Sequence, residues 1–173
     1  LTWLQAQIQP DEFAVATDVS SAFAMLGVMG PNSRALLSKV TDADLSNEKF
    51  PFATSQEIDI AYAKARATRM TYVGELGWEL LVPTEFVQGV FDALIDAGKA
   101  FDLKLAGYHA LNSLRQEKGY RHWGHDIGIE DTPIEAGLGF AVKFDKAAFN
   151  GRERLLQQKS EGVKRRLVQF KLQ

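Results

Sequence analysis

The sequence predicts an α+β fold, antiparallel strands with helices packed against them. Three observations carry that expectation. Strand-like and helix-like segments alternate along the chain. Residues 57–65 (EIDIAYAKA) and 66–73 (RATRMTYV) are adjacent alternating runs with no helix between them, so they pair antiparallel. A turn framed by two glycines, Gly74-Glu75-Leu76-Gly77, then leads into a second apolar run from Trp78. A doubly wound parallel sheet needs a helical crossover at such points, and none is written there.

Taken in order, FAVATDVS (13–20) and FAMLGVMG (23–30) are rich in apolar and β-branched residues and end at turn formers, which reads as two strands. PNSRALLSKV (31–40) starts on a proline and places Ala35, Leu36, Leu37 and Val40 at helical spacing. TDADLSNEKFPF (41–52) reads as a loop. Beyond the strand pair, PTEFVQGVFDALIDAGKAF repeats Phe86, Val87, Val90, Phe91, Leu94 and Ile95 on one helical face, with Gly98 as its stop. GYHALNSLRQEKG is a second helix, with Leu111 and Leu114 on one side and Gly119 as its end. YRHWGHDIGIEDTP has no period and reads as a long polar loop. LGFAVKF (138–144) is expected as a strand, NGRERLLQQK as a short helix capped by Asn150, and RRLVQFKL (165–172) as a last strand.

Composition narrows the function classes. The chain has 173 residues, 46% hydrophobic and 24% charged, ordinary for a globular protein with a real core. A net charge of −2 gives no basic field for nucleic acid or acidic lipid. The basic cluster Lys164-Arg165-Arg166 reads as a solvated edge. Without cysteine there is no disulfide, thiolate nucleophile or Cys-based metal site. No run approaches the ~20 apolar residues of a membrane span, and LTWLQAQIQP lacks the pattern of a signal peptide. The expected setting is cytoplasmic, or the mitochondrial matrix in a eukaryote. Both ends read as cuts from a longer protein.

The turn at 74–77 raises the question of its two acids. Taken as a four-residue loop, it sets Val73 opposite Trp78 and Tyr72 opposite Glu79, with Cβ atoms of such pairs about 4.5–5.5 Å apart. Glu75 then sits at the tip. Glu79, amid Trp78, Leu80, Leu81 and Val82, is partly desolvated unless something pairs with it. Two readings stand: an acid facing water on an edge strand or paired with an arginine such as Arg69, or an acceptor for two parallel N–H donors of a flat heterocycle.

The motifs YVGELGWEL, LAGYHALNSLRQEKGY, WGHDIGIEDTPIEAGL and FNGRERL, in this order, resemble the aminomethyltransferase (glycine-cleavage T-protein) family. GELGWEL, SLRQEKGYR, WGHDI and the upstream GVMGPNSRALLSKVTDADLSNEKFPF are closest to the C-terminal folate-binding region of dimethylglycine and sarcosine dehydrogenase-like FAD-dependent oxidoreductases. The resemblance spans roughly residues 18–172. It implies an incomplete folate-binding aminomethyltransferase domain over 1–162, and over 163–173 the first strand of a C-terminal β-barrel domain. It implies tetrahydrofolate as cofactor, gripped by Glu79 through the amino edge of the pterin, with Tyr72, Phe86, Phe52 and Arg115 as further cofactor-binding residues. For Phe86 core packing is the plain alternative, and for Arg115 a structural role. FAD is expected only in an upstream domain, so the implied partners are a reduced folate and the flavin domain of the same parent chain.

Two departures from the family pattern matter. Leu111 stands where T-proteins carry the first arginine of the Ala-Arg-Asp-Ser-Leu-Arg helix, which weighs against T-protein activity as such. The family's catalytic Asp precedes the region matched here. Asp18 is not that residue, and no catalytic residue or metal ligand is assigned. The alternatives are a free-standing aminomethyltransferase and a non-catalytic folate-binding or subunit-contact module. His122-x-x-His125 without further ligands is a weak metal signal, and the exposed pair Lys118 and Arg121 is at most a steering field for a folate tail.

Overall fold

A computed structural model describes residues 1–171. The chain condenses into two compact units, Leu1–Ala106 and the residues from Gly107 onward.

The first unit holds α1 (Thr2–Gln5), β1 (Phe23–Met29), α2 (Ser33–Leu37), β2 (Ser55–Ile60), β3 (Ala63–Thr68), β4 (Gly77–Pro83) and α3 (Val87–Gly98). The strands form one antiparallel sheet in the order β1-β4-β3-β2, so β4 is an inner strand. Strand alternation sorts the residues between two faces. Ile58, Ile60, Ala63, Ala65, Ala67, Trp78, Leu80 and Val82 point one way and are buried with Leu36 and Leu37 of α2 and Val90 and Leu94 of α3. Small alanines on β3 let the helical layer close on the sheet, while Trp78 fills the centre. Phe50 meets the Trp78 ring edge-on at 6.1 Å. The guanidinium groups of Arg34 and Arg69 lie 5.8 and 5.7 Å from its centroid.

The antiparallel α+β architecture is the one the sequence predicts. Several elements differ, each for a local reason. Residues 13–19 form no strand: Phe13 and Val15 stand in solvent, and an alternating run without a partner has no ladder to join. The turn between the first strand pair falls at Ala61-Tyr62, with Ala61 at φ +50, so the strands end and begin earlier than the apolar pattern suggests. Proline 83 closes β4 rather than opening the helix, which starts at Val87.

The second unit holds α4 (Tyr108–Glu117) and α5 (Arg152–Glu161), joined by a loop of successive turns. The expected strand at 138–144 is a short 3-10 turn over Gly139–Ala141, entered through Gly137 at φ +71. Asn150 does not cap α5; Gly151, at φ +87, takes that position. The buried face of α4 is built on Arg115, not on Leu114, which is exposed. Residues 165–171 lie in no strand. Among the described residues this segment is tethered by the backbone bond from Leu167 N–H to Glu135 O at 2.9 Å, by Arg165 to Asp131, Glu135 and the Glu130 carbonyl, and by Gln169 Nε2 to the Gln116 carbonyl. Leu172, the end of the strand expected there, lies outside the described residues.

Candidate functional site

Glu79 is the third residue of β4 and is half-buried. Its neighbours Trp78 and Leu80 point into the core, so its carboxylate projects from the opposite, open face of the sheet. The edge-strand reading fails, because β4 is bonded on both sides. The pairing with Arg69 fails too. Arg69 lies over Trp78 and donates to Phe50 O at 2.7 Å. Among the described residues the Glu79 carboxylate has no hydrogen-bond or ion-pair partner. A carboxylate offers about four lone-pair sites, and here none is used by the described residues.

The register around Glu79 differs from the one the sequence suggests. Thr68 lies opposite Glu79 on β3, and Gly27 lies opposite it on β1. Tyr72 is not its cross-strand partner. The ladder of β3 ends at Thr68, after which Arg69 exchanges backbone bonds with Ala53 and Thr54 at 2.9 Å each. Thr71 Oγ1 then accepts from Val73 N–H at 3.2 Å, a hydroxyl turn that ends the extended run. The connection is thus the longer loop 69–76. It is fixed at its far end by Gly30 N–H to Leu76 O at 2.8 Å and by Ser33 Oγ to the same carbonyl at 3.0 Å. Gly77 follows with no room for a side chain: a Cβ there would meet Met29 Cγ at 2.7 Å.

Tyr72 sits half-buried in this loop, and Glu75 is exposed on it. Phe52 is 63% exposed in the 51–54 segment that pairs with Arg69, at the same end of the sheet. Phe86 is not in the core. It is 46% exposed at the start of α3, past the other end of β4. From Glu79 to Pro83 the strand rises about 13 Å, so Phe86 does not share the end where Tyr72 and Phe52 gather.

Arg115 belongs to the second unit, where its side chain is only 1% exposed. All five of its N–H donors are engaged. Nε and Nη2 reach Asn112 Oδ1, Nη1 reaches Tyr120 O at 3.1 Å and Asp126 Oδ2, and Nη2 also reaches Asp126 Oδ1 at 3.5 Å. Its donors point inward, holding the 120–126 loop. Asp126 accepts the His122 N–H at 2.9 Å as well. Burial raises the Asp126 pKa, but the His122 amide and Arg115 outweigh it and hold the carboxyl below its ordinary value. His122 contacts the Tyr108 hydroxyl at 3.2 Å and stacks on His125 at 5.5 Å. No cluster able to hold a metal ion occurs among the described residues.

Thr68 and Gly27 are the site neighbours that sequence reasoning missed. The signal was present in AKARAT (63–68), whose strict small-polar alternation marks the true end of the ladder.

The model of the GCVT N-terminal domain matches residues 1–146. The chain belongs to this family. Relatives of this GCVT domain include dehydrogenases and aminomethyltransferases. Human mitochondrial sarcosine dehydrogenase is 47% identical over 157 residues, which is 90% of this chain and 17% of that protein. Human mitochondrial dimethylglycine dehydrogenase is 36% identical over 97% of this chain and 20% of its own length. An aminomethyltransferase from Caldanaerobacter subterraneus is 42% identical over 90% of this chain and 41% of its length. The GCVT domain here therefore spans a minor part of each. Among solved structures, the glycine cleavage system aminomethyltransferase T of Bartonella henselae superposes with a TM-score of 0.66 at 29% identity, over 81% of this chain and 37% of that one. No helix among the described residues is long and apolar enough to cross a membrane.

Proposed function

We propose that this chain supplies the tetrahydrofolate site of a dimethylglycine or sarcosine dehydrogenase-like flavoprotein. In the whole protein, a methylated glycine is oxidatively N-demethylated by a flavin held in another domain of the parent chain. The released one-carbon unit is taken by tetrahydrofolate. Residues 163–173 open a further β-barrel domain in this reading, and the compartment is the mitochondrial matrix in a eukaryote.

The observation that carries the proposal is Glu79: a half-buried carboxylate on an inner strand, facing outward, with no partner among the described residues. Desolvating an acid without a partner is costly, and a ligand edge with two parallel N–H groups offsets that cost. The amino and N3 edge of a reduced pterin is such a group. Tyr72 and Phe52, at the same end of the sheet, are the aromatic residues assigned to the ring. Phe86 is assigned a more distant part of the ligand, and Arg115 the support of its own loop.

A free-standing aminomethyltransferase is the second reading, favoured by the 42% identity to the Caldanaerobacter enzyme and opposed by Leu111. The test is calorimetry with 5-formyltetrahydrofolate on the full-length protein. Glu79→Ala removes a charged hydrogen-bond acceptor and is expected to cost about 1.5–3 kcal/mol, roughly 10- to 150-fold in affinity. Glu75→Ala is expected to leave affinity within about twofold, as for a surface acid. Equal effects from the two, or none from Glu79→Ala, overturn the assignment.

A further inference from the structure

We propose that Gly27 is the floor of the ligand seat beside Glu79, kept without a side chain so that a flat ring can lie over the β1 backbone. The inference rests on the folate reading and adds a positioning residue to it.

A glycine inside a strand is destabilising by roughly 0.5–1 kcal/mol relative to alanine, so an interior glycine calls for a reason. Two structural reasons are ordinary, and Gly27 has neither. Its φ is not in the left-handed region. A Cβ built on it would meet only the Met29 Cε, at 3.6 Å, an ordinary contact. Gly77, on the neighbouring strand, shows the opposite case, since a Cβ there collides with Met29 and the Val28 carbonyl. The protein therefore has space for a side chain at 27.

A further reason for a strand glycine is close approach of a ligand, and the position of Gly27 favours it. Gly27 is directly opposite Glu79 on the open face, a relation that puts facing Cβ positions about 4.5–5.5 Å apart. On the other flank stands Thr68, a small residue whose hydroxyl is turned to Ser55 Oγ at 3.1 Å. The carboxylate is thus bordered by a bare backbone on one side. The Met29 side chain, next on the same face of β1, borders the seat; the Thr71 hydroxyl approaches its sulfur at 3.8 Å. A thioether suits the edge of an aromatic ring. The arrangement fits a flat heterocycle with its N–H edge on Glu79 and its body over Gly27.

The experiment compares 5-formyltetrahydrofolate binding and urea unfolding for the full-length wild type, Gly27→Val and Glu79→Ala. Gly27→Val is expected to weaken binding at least tenfold while its urea midpoint stays level or rises. If Glu79→Ala weakens binding and Gly27→Val does not, the seat is elsewhere and the folate reading stands. If neither weakens binding, the folate reading itself falls and takes this inference with it. Should Gly27→Val fail to fold, Gly27→Ala carries the test, since its methyl group has room. A severalfold loss of affinity with stability held supports the seat, and unchanged affinity overturns it.

Discussion

Replacing Arg115 by methionine keeps the length of the buried side chain and deletes all five donors. Three acceptors then lose partners: Asn112 Oδ1, the Tyr120 carbonyl and the Asp126 carboxylate. Breaking a buried ion pair from one side costs about 3–5 kcal/mol. Asp126 is 23% exposed and rehydrates in part, so the lower end, about 3 kcal/mol, is expected. That is roughly a 150-fold rise in the opening of the second unit. Hydrogen exchange of the full-length protein reads it directly. Peptides covering 107–126 should exchange about 100-fold faster, and those covering β3 and β4 should not change. Adding Asp126→Asn to the Arg115→Met background should cost much less than it does alone, the sign of a coupled pair. Unchanged exchange together with weakened folate binding would refute the reasoning and return Arg115 to the ligand.

The acid limb offers a second check. Hydrogen bonds hold Asp126 and Glu135 below their ordinary values, Glu135 through the Thr132 amide and hydroxyl. Their contribution is complete above the ordinary carboxylate range and is lost as pH falls through the depressed values, so protection of the second unit should decline from about pH 5 downward. Asp126→Asn should flatten that decline in exchange-detected pH titrations. Gly77→Ala should lower stability by about 1–3 kcal/mol in urea denaturation, because its methyl group has no space between β4 and Met29.

The fold class and the outward acid were legible because both rest on local periodicity. EIDI and AKARAT alternate cleanly, and the helix at 87–98 repeats its apolar residues at 3.6 spacing. The pairing of Tyr72 with Glu79 was not legible. It required the strand to run on through Met70 and Thr71, and the competing hydroxyl turn at Thr71 is a tertiary choice, supported by the contact with Met29. Phe86 misled in the same way: its apolar spacing extends the helix pattern backwards, whereas the chain is still turning out of β4 there. Arg115 shows the converse. The sequence left a ligand role and a structural role open for it; Asn112 lies one helical turn away, but the acceptors on Tyr120 and Asp126 come from a loop without period and could not be read from spacing.

The inner position of β4 bears on how the molecule ages under mutation. Glu79 is anchored by ladders to two strands, so its main chain moves only when the whole sheet gives way. Substitutions that loosen loops or termini leave the acid where it is. Binding capacity in a drifting population of variants should therefore persist until stability itself fails, and then vanish abruptly, in step with the fraction of molecules folded.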